Sequence, residues 1–381
     1  MTGPAGKVPA RVALVGAGGF GLVHRRTIAQ LRDAGEVDLV GLADVRPVPD
    51  APPGVPVHTD HRALLDAVRP DIVVVATPPY THAPIAVDAL HAGADVLVEK
   101  PPVVDLAEHR ALSAVLGGTG RSCQVGFQAL GSRALTDLMS TVDGTKLTGI
   151  AMRGTWMRDD AYFQRAAWVG RSTVDGRPAL DGALANPFAH AVMQVLAIAA
   201  GHGDPLDVTV ERYRTRDIEV DDTATLRLTY PGGMRALVAV TLCAEEFRPG
   251  DIAVHTTSGT AVLEYPTDRL QLPGEPDLTE RPGRTVLLAN LVAHRRDGTP
   301  LLVPLSRTAA FTAVMDAVRA APVARIPARY LSTRNDMPTP RLVIDGIDAA
   351  VDEAVARGAL FSELDLPWAV PGPGPVPWRG P

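Results

Sequence analysis

Cysteine is nearly absent from this chain: two residues, Cys123 and Cys243, among 381. Two isolated cysteines build neither a disulfide framework nor a zinc centre, and they point to a reducing, cytoplasmic setting. Basic charge is not in excess either. Lys and Arg number 37 against 43 Asp and Glu, a net charge of −6. No broad positive field therefore exists to draw a nucleic acid or an anionic membrane. No apolar run approaches the roughly twenty residues that cross a bilayer. The apolar stretch behind the N-terminal basic residues meets glycines after a few positions, too soon for a signal-peptide core. Aromatic residues make up only 4%. The remaining composition, 46% hydrophobic and 21% charged, is that of an ordinary globular protein long enough for two domains.

The first third alternates strand and helix patterns. RVALVGAG (11–18), VDLVGLAD (37–44), DIVVVAT (71–77), DVLVEKP (95–101) and SCQVGF (122–127) read as strands. Helical spacing fills 21–35, 61–68, 82–93 and 105–117 between them. Continuously apolar strands alternating with helices predict a parallel sheet covered on both faces. Beyond residue 130 strands dominate, with YPGGM and TTSGT as turns between antiparallel neighbours and helices near 187–200, 306–320 and 342–357. The expected division is 1–128, 129–365, and a Pro/Gly-rich extended tail at 366–381. The fold class is an α/β Rossmann domain plus an α+β domain with an open, mainly antiparallel sheet. The pair Asp221–Asp222 reads as a turn, and 290–298 as a solvated element or interface.

VGAGGFG follows the first strand and opens the first helix, with G-x-G-x-x-G at Gly16, Gly18 and Gly21. Gly16 permits the tight turn, Gly18 lets the backbone approach a pyrophosphate, and Gly21 lets helix and strand pack closely. Gly19 and Phe20 complete a loop whose helix N-terminus favours an anion. Asp44 ends the second strand, 23 positions beyond Gly21. A carboxylate there accepts from both adenosine ribose hydroxyls and repels a 2′-phosphate, which favours NAD over NADP. Arg46 leaves NADP open, because a guanidinium two residues on reaches a phosphate or stacks on adenine.

Three further stretches sit at strand ends: ATPPYTHAPIAVDALHAG with Thr77, Pro78 and His82; VLVEKPP with Glu99 and Lys100; and VGFQAL with Gln128. His24 and His82 are cofactor-side candidates that could equally cap helices or pack locally. With the glycine loop, these stretches resemble the glucose–fructose oxidoreductase, inositol dehydrogenase and rhizopine-catabolism (Gfo/Idh/MocA) family across residues 10 to 130. The stretch 179–201 resembles the family's catalytic helix, and the antiparallel second domain fits as well.

The resemblance implies a dehydrogenase of sugars or cyclitols, a cytoplasmic homodimer or homotetramer, with no metal, nucleic-acid or membrane partner. It implies that Lys100 contacts substrate near the nicotinamide and that His190 is the general acid/base. Chemistry agrees: histidine titrates in the useful range, and an ammonium stabilises charge developing on the reacting oxygen. The family places an aspartate four residues before that histidine, where this chain has Asn186. An amide orients an imidazole without stabilising its charge. Asn186 also reads as a helix cap with Pro187 at the first helical position, and Asp181 is a candidate substitute for the missing acid. The stretch 153–171 gathers Trp156, Arg158, Tyr162, Arg165 and Trp168 as substrate contacts, or as a loop over the cleft or a subunit contact. Two other readings remain open: a bound cofactor cycling transiently to enable elimination or hydrolysis, and a non-catalytic dinucleotide-binding regulator.

Overall fold

The structure, a computed structural model, describes residues 8–142 and 146–380. The chain separates into two compact units, one running to Gln128 and including Thr285–Ala309, the other formed by Ala129–Arg284 and Ala310 onward.

In the first unit, β1 (Ala10–Val15), β2 (Val37–Ala43), β3 (Val57–His58), β4 (Ile72–Val75), β5 (Asp95–Val98) and β6 (Cys123–Val125) form one sheet in the order β3-β2-β1-β4-β5-β6. All its pairs are parallel. The crossovers carry α1 (Gly21–Asp33), α2 (His61–Val68), α3 (His82–His91) and α4 (Leu106–Thr119). Every residue of β4 and β5 is buried, as the apolar runs predict for a sheet covered on both faces. Asp60 and Asp105 start α2 and α4 by accepting from the backbone amides of Ala63 and Glu108. In this strand order the reversal falls between β1 and β4, and ligands bind beyond the carboxyl ends of the strands there.

The second unit opens with α5 (Arg133–Val142), β7 (Leu147–Met157) and the single-turn α6 (Asp160–Gln164). A small hairpin, β8 (Thr173–Val174) with β9 (Arg177–Pro178), precedes α7 (Ala189–Ala199). Then follow β10 (Asp207–Arg214), β11 (Thr223–Thr229), β12 (Arg235–Thr241), β13 (Cys243–Thr256), β14 (Gly259–Glu264), β15 (Arg269–Gln271) and β16 (Thr279–Glu280). The chain next contributes α8 (Leu287–Asp297) to the first unit, then returns with α9 (Ala309–Ala320), β17 (Val323–Arg325), β18 (Leu331–Arg334), β19 (Arg341–Ile344), α10 (Ile347–Arg357) and β20 (Val376–Pro377). The large sheet runs β16-β15-β14-β13-β7-β12-β11-β10-β17, with β20 also on β10. Its pairs are antiparallel except β7–β12 and β10–β17.

Four sequence expectations change. The first unit is discontinuous, because 285–309 belongs to it. There Val303 accepts from the Val125 amide on the edge strand β6, and Gln124 bonds Leu287, Asn290 and Val303. The segment 290–298 is accordingly an internal brace: Arg295 pairs with Asp71 at 2.7 Å and Asp95 at 2.8 Å. The large sheet is not open on its second face. Tyr213, Leu237 and Ala239 share a core with Ile347, Ala350, Val351 and Ala354 of α10. The tail enters the same core through Trp368, whose ring lies 5.1 Å from Tyr213 and 5.4 Å from Phe361. Proline and glycine suit an edge strand, and an indole supplies the anchor that composition alone hides. Asp221 and Asp222 are buried instead of lying in a solvated turn. Asp221 pairs with Arg212 at 2.7 Å, and Asp222 accepts from the Thr215 amide and hydroxyl.

Candidate functional site

The glycine loop links β1 to α1. Gly16 has φ +88°, and a Cβ there would stand 2.6 Å from the Ala76 carbonyl oxygen. At Gly21 a Cβ would collide with the Gly16 carbonyl oxygen. Both positions therefore exclude side chains for steric reasons. Asp44, one residue beyond β2, reaches into this loop: Oδ2 accepts from the amides of Ala17 at 2.9 Å and Gly18 at 3.0 Å, and Oδ1 from the Arg46 amide at 2.9 Å. Each carboxylate oxygen keeps a second lone pair for another donor. The Arg46 side chain is exposed near Gly18. Phe20 is exposed and sets its ring edge-on to His24 at 5.7 Å.

Glu99 and Lys100 follow β5. Glu99 is buried; it accepts from Gln128 Nε2 at 2.9 Å and the Lys100 amide at 3.2 Å, and meets His24 Nε2 at 2.8 Å. The structure thus brings four candidates together and engages Glu99 with its neighbours. Lys100 is half-buried, and its bond to Pro101 is cis. His82 is buried with Nδ1 2.7 Å from the Pro101 carbonyl and Nε2 2.7 Å from the Thr77 carbonyl. Burial pushes its pKa down, outweighing those two contacts. His82 therefore ties the Thr77–Pro78 loop to the segment after Lys100, and the Thr77 hydroxyl accepts from Thr81 at 2.6 Å.

In the second unit α7 starts at Ala189, and Asn186 does not cap it. Its N-cap is Phe188, without a side-chain bond. The Asn186 carbonyl accepts from the Ala189 amide, and its side-chain amide donates to Asp181 Oδ1 at 3.0 Å. Asp181 also accepts from the Gly170 amide at 2.7 Å. A carboxylate is the stronger acceptor for the Asn186 amide, which leaves the cap position to Phe188. His190 stands half-buried in the first turn of α7.

The 153–171 stretch is a stack. Arg158 lies 4.8 Å above Trp156 and 5.0 Å above Tyr162; Arg165 lies 3.7 Å above Tyr162 and 5.5 Å above Trp168. Trp156 rests on Phe188 at 4.5 Å, which connects the stack to the start of α7. Burial raises the pKa of Tyr162, against the pull of the two arginines. Tyr265, just beyond β14, also meets this group, because the Arg158 charge acts on its phenol. Nothing in the sequence singled Tyr265 out; its one signal is that it is one of six tyrosines in an aromatic-poor chain.

Residues 10–127 match the oxidoreductase family with an NAD-binding Rossmann fold. The N-terminal domain belongs to the Gfo/Idh/MocA oxidoreductase family. Inositol 2-dehydrogenase 4 of Saccharopolyspora erythraea is 36% identical over 121 residues, which is 31% of this chain and 36% of that protein. Inositol 2-dehydrogenase 2 of Paenarthrobacter aurescens is 31% identical over 143 residues, 36% of this chain and 43% of that protein. The chain thus aligns with less than half the length of these curated relatives. The WlbA dehydrogenase of Bordetella pertussis, solved with NADH and UDP-GlcNAcA, has the same fold: TM-score 0.71 at 20% identity, over 81% of this chain and 95% of that one. D-galactose-1-dehydrogenase of Rhizobium etli gives TM-score 0.63 at 21% identity, over 84% and 96%.

The Gfo/Idh/MocA domain seen here fits a dinucleotide on its own geometry. No side chain caps the N-terminus of α1, and no acid occupies its first turn. Uncapped amides and the helix dipole favour a pyrophosphate there. Both cysteines are free and buried, and burial pushes their thiols up to about 12, so neither is a nucleophile at neutral pH. No helix among the described residues is long and apolar enough to cross a membrane.

Proposed function

We propose that this chain is an NAD-dependent dehydrogenase acting on a hydroxyl-bearing carbon of a sugar or cyclitol. The observation that carries the reading is the glycine loop, with an uncapped α1 N-terminus and Asp44 held against its amides. The inositol dehydrogenase names of the sequence relatives support the substrate class.

In this reading Gly16–Gly21 would hold the pyrophosphate, and Asp44 the adenosine ribose. Thr77, Pro78, His82, Glu99 and Gln128 shape the nicotinamide side. When bound, the nicotinamide accepts the hydride at C4. The Lys100 ammonium stabilises negative charge on the reacting oxygen, and His190 takes the hydroxyl proton. Glu99 fixes the backbone that presents Lys100, through the bond from the Lys100 amide. Asn186 gives the His190 imidazolium no charge partner, so the base works without the acid that the family pattern supplies.

The test is nicotinamide absorbance with NAD and NADP in turn, against inositols, aldoses and sugar acids. Turnover is expected with NAD in preference to NADP. Lys100→Ala should lower kcat by roughly 10²–10³-fold, the range for losing one oxyanion donor, with NAD affinity unchanged. Full activity in Lys100→Ala would remove the mechanism.

A further inference from the structure

Arg158 is a cation with nothing to neutralise it. Its Nη1 donates to the Met157 carbonyl at 3.0 Å, and it forms no ion pair among the described residues. Its Nε is shut off from solvent and has no hydrogen-bond partner. The Tyr265 hydroxyl is in the same condition: the residue is 4% exposed, and the oxygen has no partner. Buried polar groups are almost always satisfied, so two orphans acting on one another need a reason.

The surroundings keep the guanidinium fixed. Trp156 and Tyr162 both offer their ring faces to it, and the bond to Met157 holds one end. The edge left over is the Nε–Nη2 edge, two parallel donors whose spacing matches the two oxygens of a carboxylate. One cation balances one carboxylate, and a phenol beside it supplies a further donor. Asp181, the acid whose charge reaches Tyr162, is already taken by Gly170 and Asn186. The stack rests on Phe188, two residues before His190. A group held by Arg158 is therefore tied to the element that carries the proposed base.

We propose that Arg158 and the Tyr265 hydroxyl form a carboxylate subsite, so that the substrate is an acidic sugar and not a neutral sugar or cyclitol. This rests on the dehydrogenase reading for its chemistry but on separate residues for its evidence. The orphaned donors are satisfied by the substrate carboxylate, and Trp156 and Tyr162 give the sugar ring an aromatic wall.

The test uses titration calorimetry on the full chain in the presence of NADH, with glucuronate and galacturonate as probes. Glucose, galactose, myo-inositol and glucose 6-phosphate are the comparisons. The acids should bind at least about tenfold more tightly than their neutral parents, the lower end for a hydrogen bond to a charged group. Arg158→Gln should abolish that preference while leaving the weak neutral binding alone. Arg158→Lys should not restore it, because an ammonium lacks the fork. Tyr265→Phe should weaken acid binding without lowering Tm, since it removes only an unsatisfied hydroxyl; a structural role alone would move Tm and leave selectivity intact. Equal affinity for acids and neutral sugars, or a preference for the phosphate, overturns the subsite while the dehydrogenase reading stands. Acid binding that depends on Arg158 but never leads to hydride transfer keeps the subsite and removes the dehydrogenase.

Discussion

Asn186 donates to Asp181 at 3.0 Å, and that bond decides what a carboxylate at 186 would do. In Asn186→Asp two carboxylates would face each other across the same gap, where each disfavours the charge of the other. The variant that restores the family's acid should therefore lose stability at neutral pH, by about 1–3 kcal/mol for a broken buried hydrogen bond. It should regain that stability in the double variant Asp181→Asn/Asn186→Asp, where the amide donates in the opposite direction and still accepts from Gly170. Urea unfolding of the three proteins at pH 7.5 checks this; additive losses in the double variant would show that the two side chains do not depend on each other. The sequence made Asn186 visible through its spacing to His190. Its partner was not legible, because Asp181 reaches it through the loop before α7 and no helical period relates the two. The same limit applies to Glu99, whose neighbours His24 and Gln128 lie 75 and 29 positions away, and to Tyr265.

Among the elements, the tail differs most from its composition. Residues 366–381 look like a linker, yet Val376–Pro377 pairs with β10 and Trp368 is 5% exposed against Tyr213 and Phe361. Trp368→Ala should cost about 3–5 kcal/mol, as large-to-small aromatic changes in a core do. The measurement is denaturant unfolding, and a loss below 1 kcal/mol would mean that the tail merely lies on the surface. The parallel sheet was readable because each strand is an apolar run bounded by a helix of clear period. The return of 285–309 was not, because its contacts with β6 are non-local backbone bonds that carry no residue signature. The closing of the second sheet face was hidden for a similar reason: α10 was expected as a helix, but its sequence does not say which surface its apolar stripe covers. That coverage also bears on the expected sheet-faced homodimer or homotetramer, since Leu237 and Ala239 already face α10.

At the scale of the whole molecule, two buried histidines of the first unit set its response to acid. His82 lies between two carbonyls with Glu99 and Lys100 near, and His109 meets the Leu305 carbonyl at 3.1 Å and Ser113 at 3.5 Å. Burial lowers both pKa values below the ordinary 6.5. In the window between the folded values and 6.5 the unfolded chain binds more protons than the folded one, so stability rises with pH. The contribution is complete above 6.5 and falls away as the pH drops through 6.5 toward the folded values. Asp222, in the second unit, is shifted the opposite way: burial raises its pKa, so its effect on stability improves as acid protonates it. The two units also carry different reporters, because Trp156, Trp168, Trp368 and Trp378 all lie in the second. Urea unfolding at pH 7.5 and 5.5, followed by far-UV circular dichroism and by tryptophan fluorescence, should therefore show the larger acid-induced loss in the dichroism transition. His109→Gln keeps a donor for the Leu305 carbonyl and removes one titrating group, so its dichroism midpoint should fall less between the two pH values than that of the unaltered protein. An equal fall in both proteins would mean that His109 stays as easily protonated in the fold as outside it, and the burial argument for that residue would be wrong.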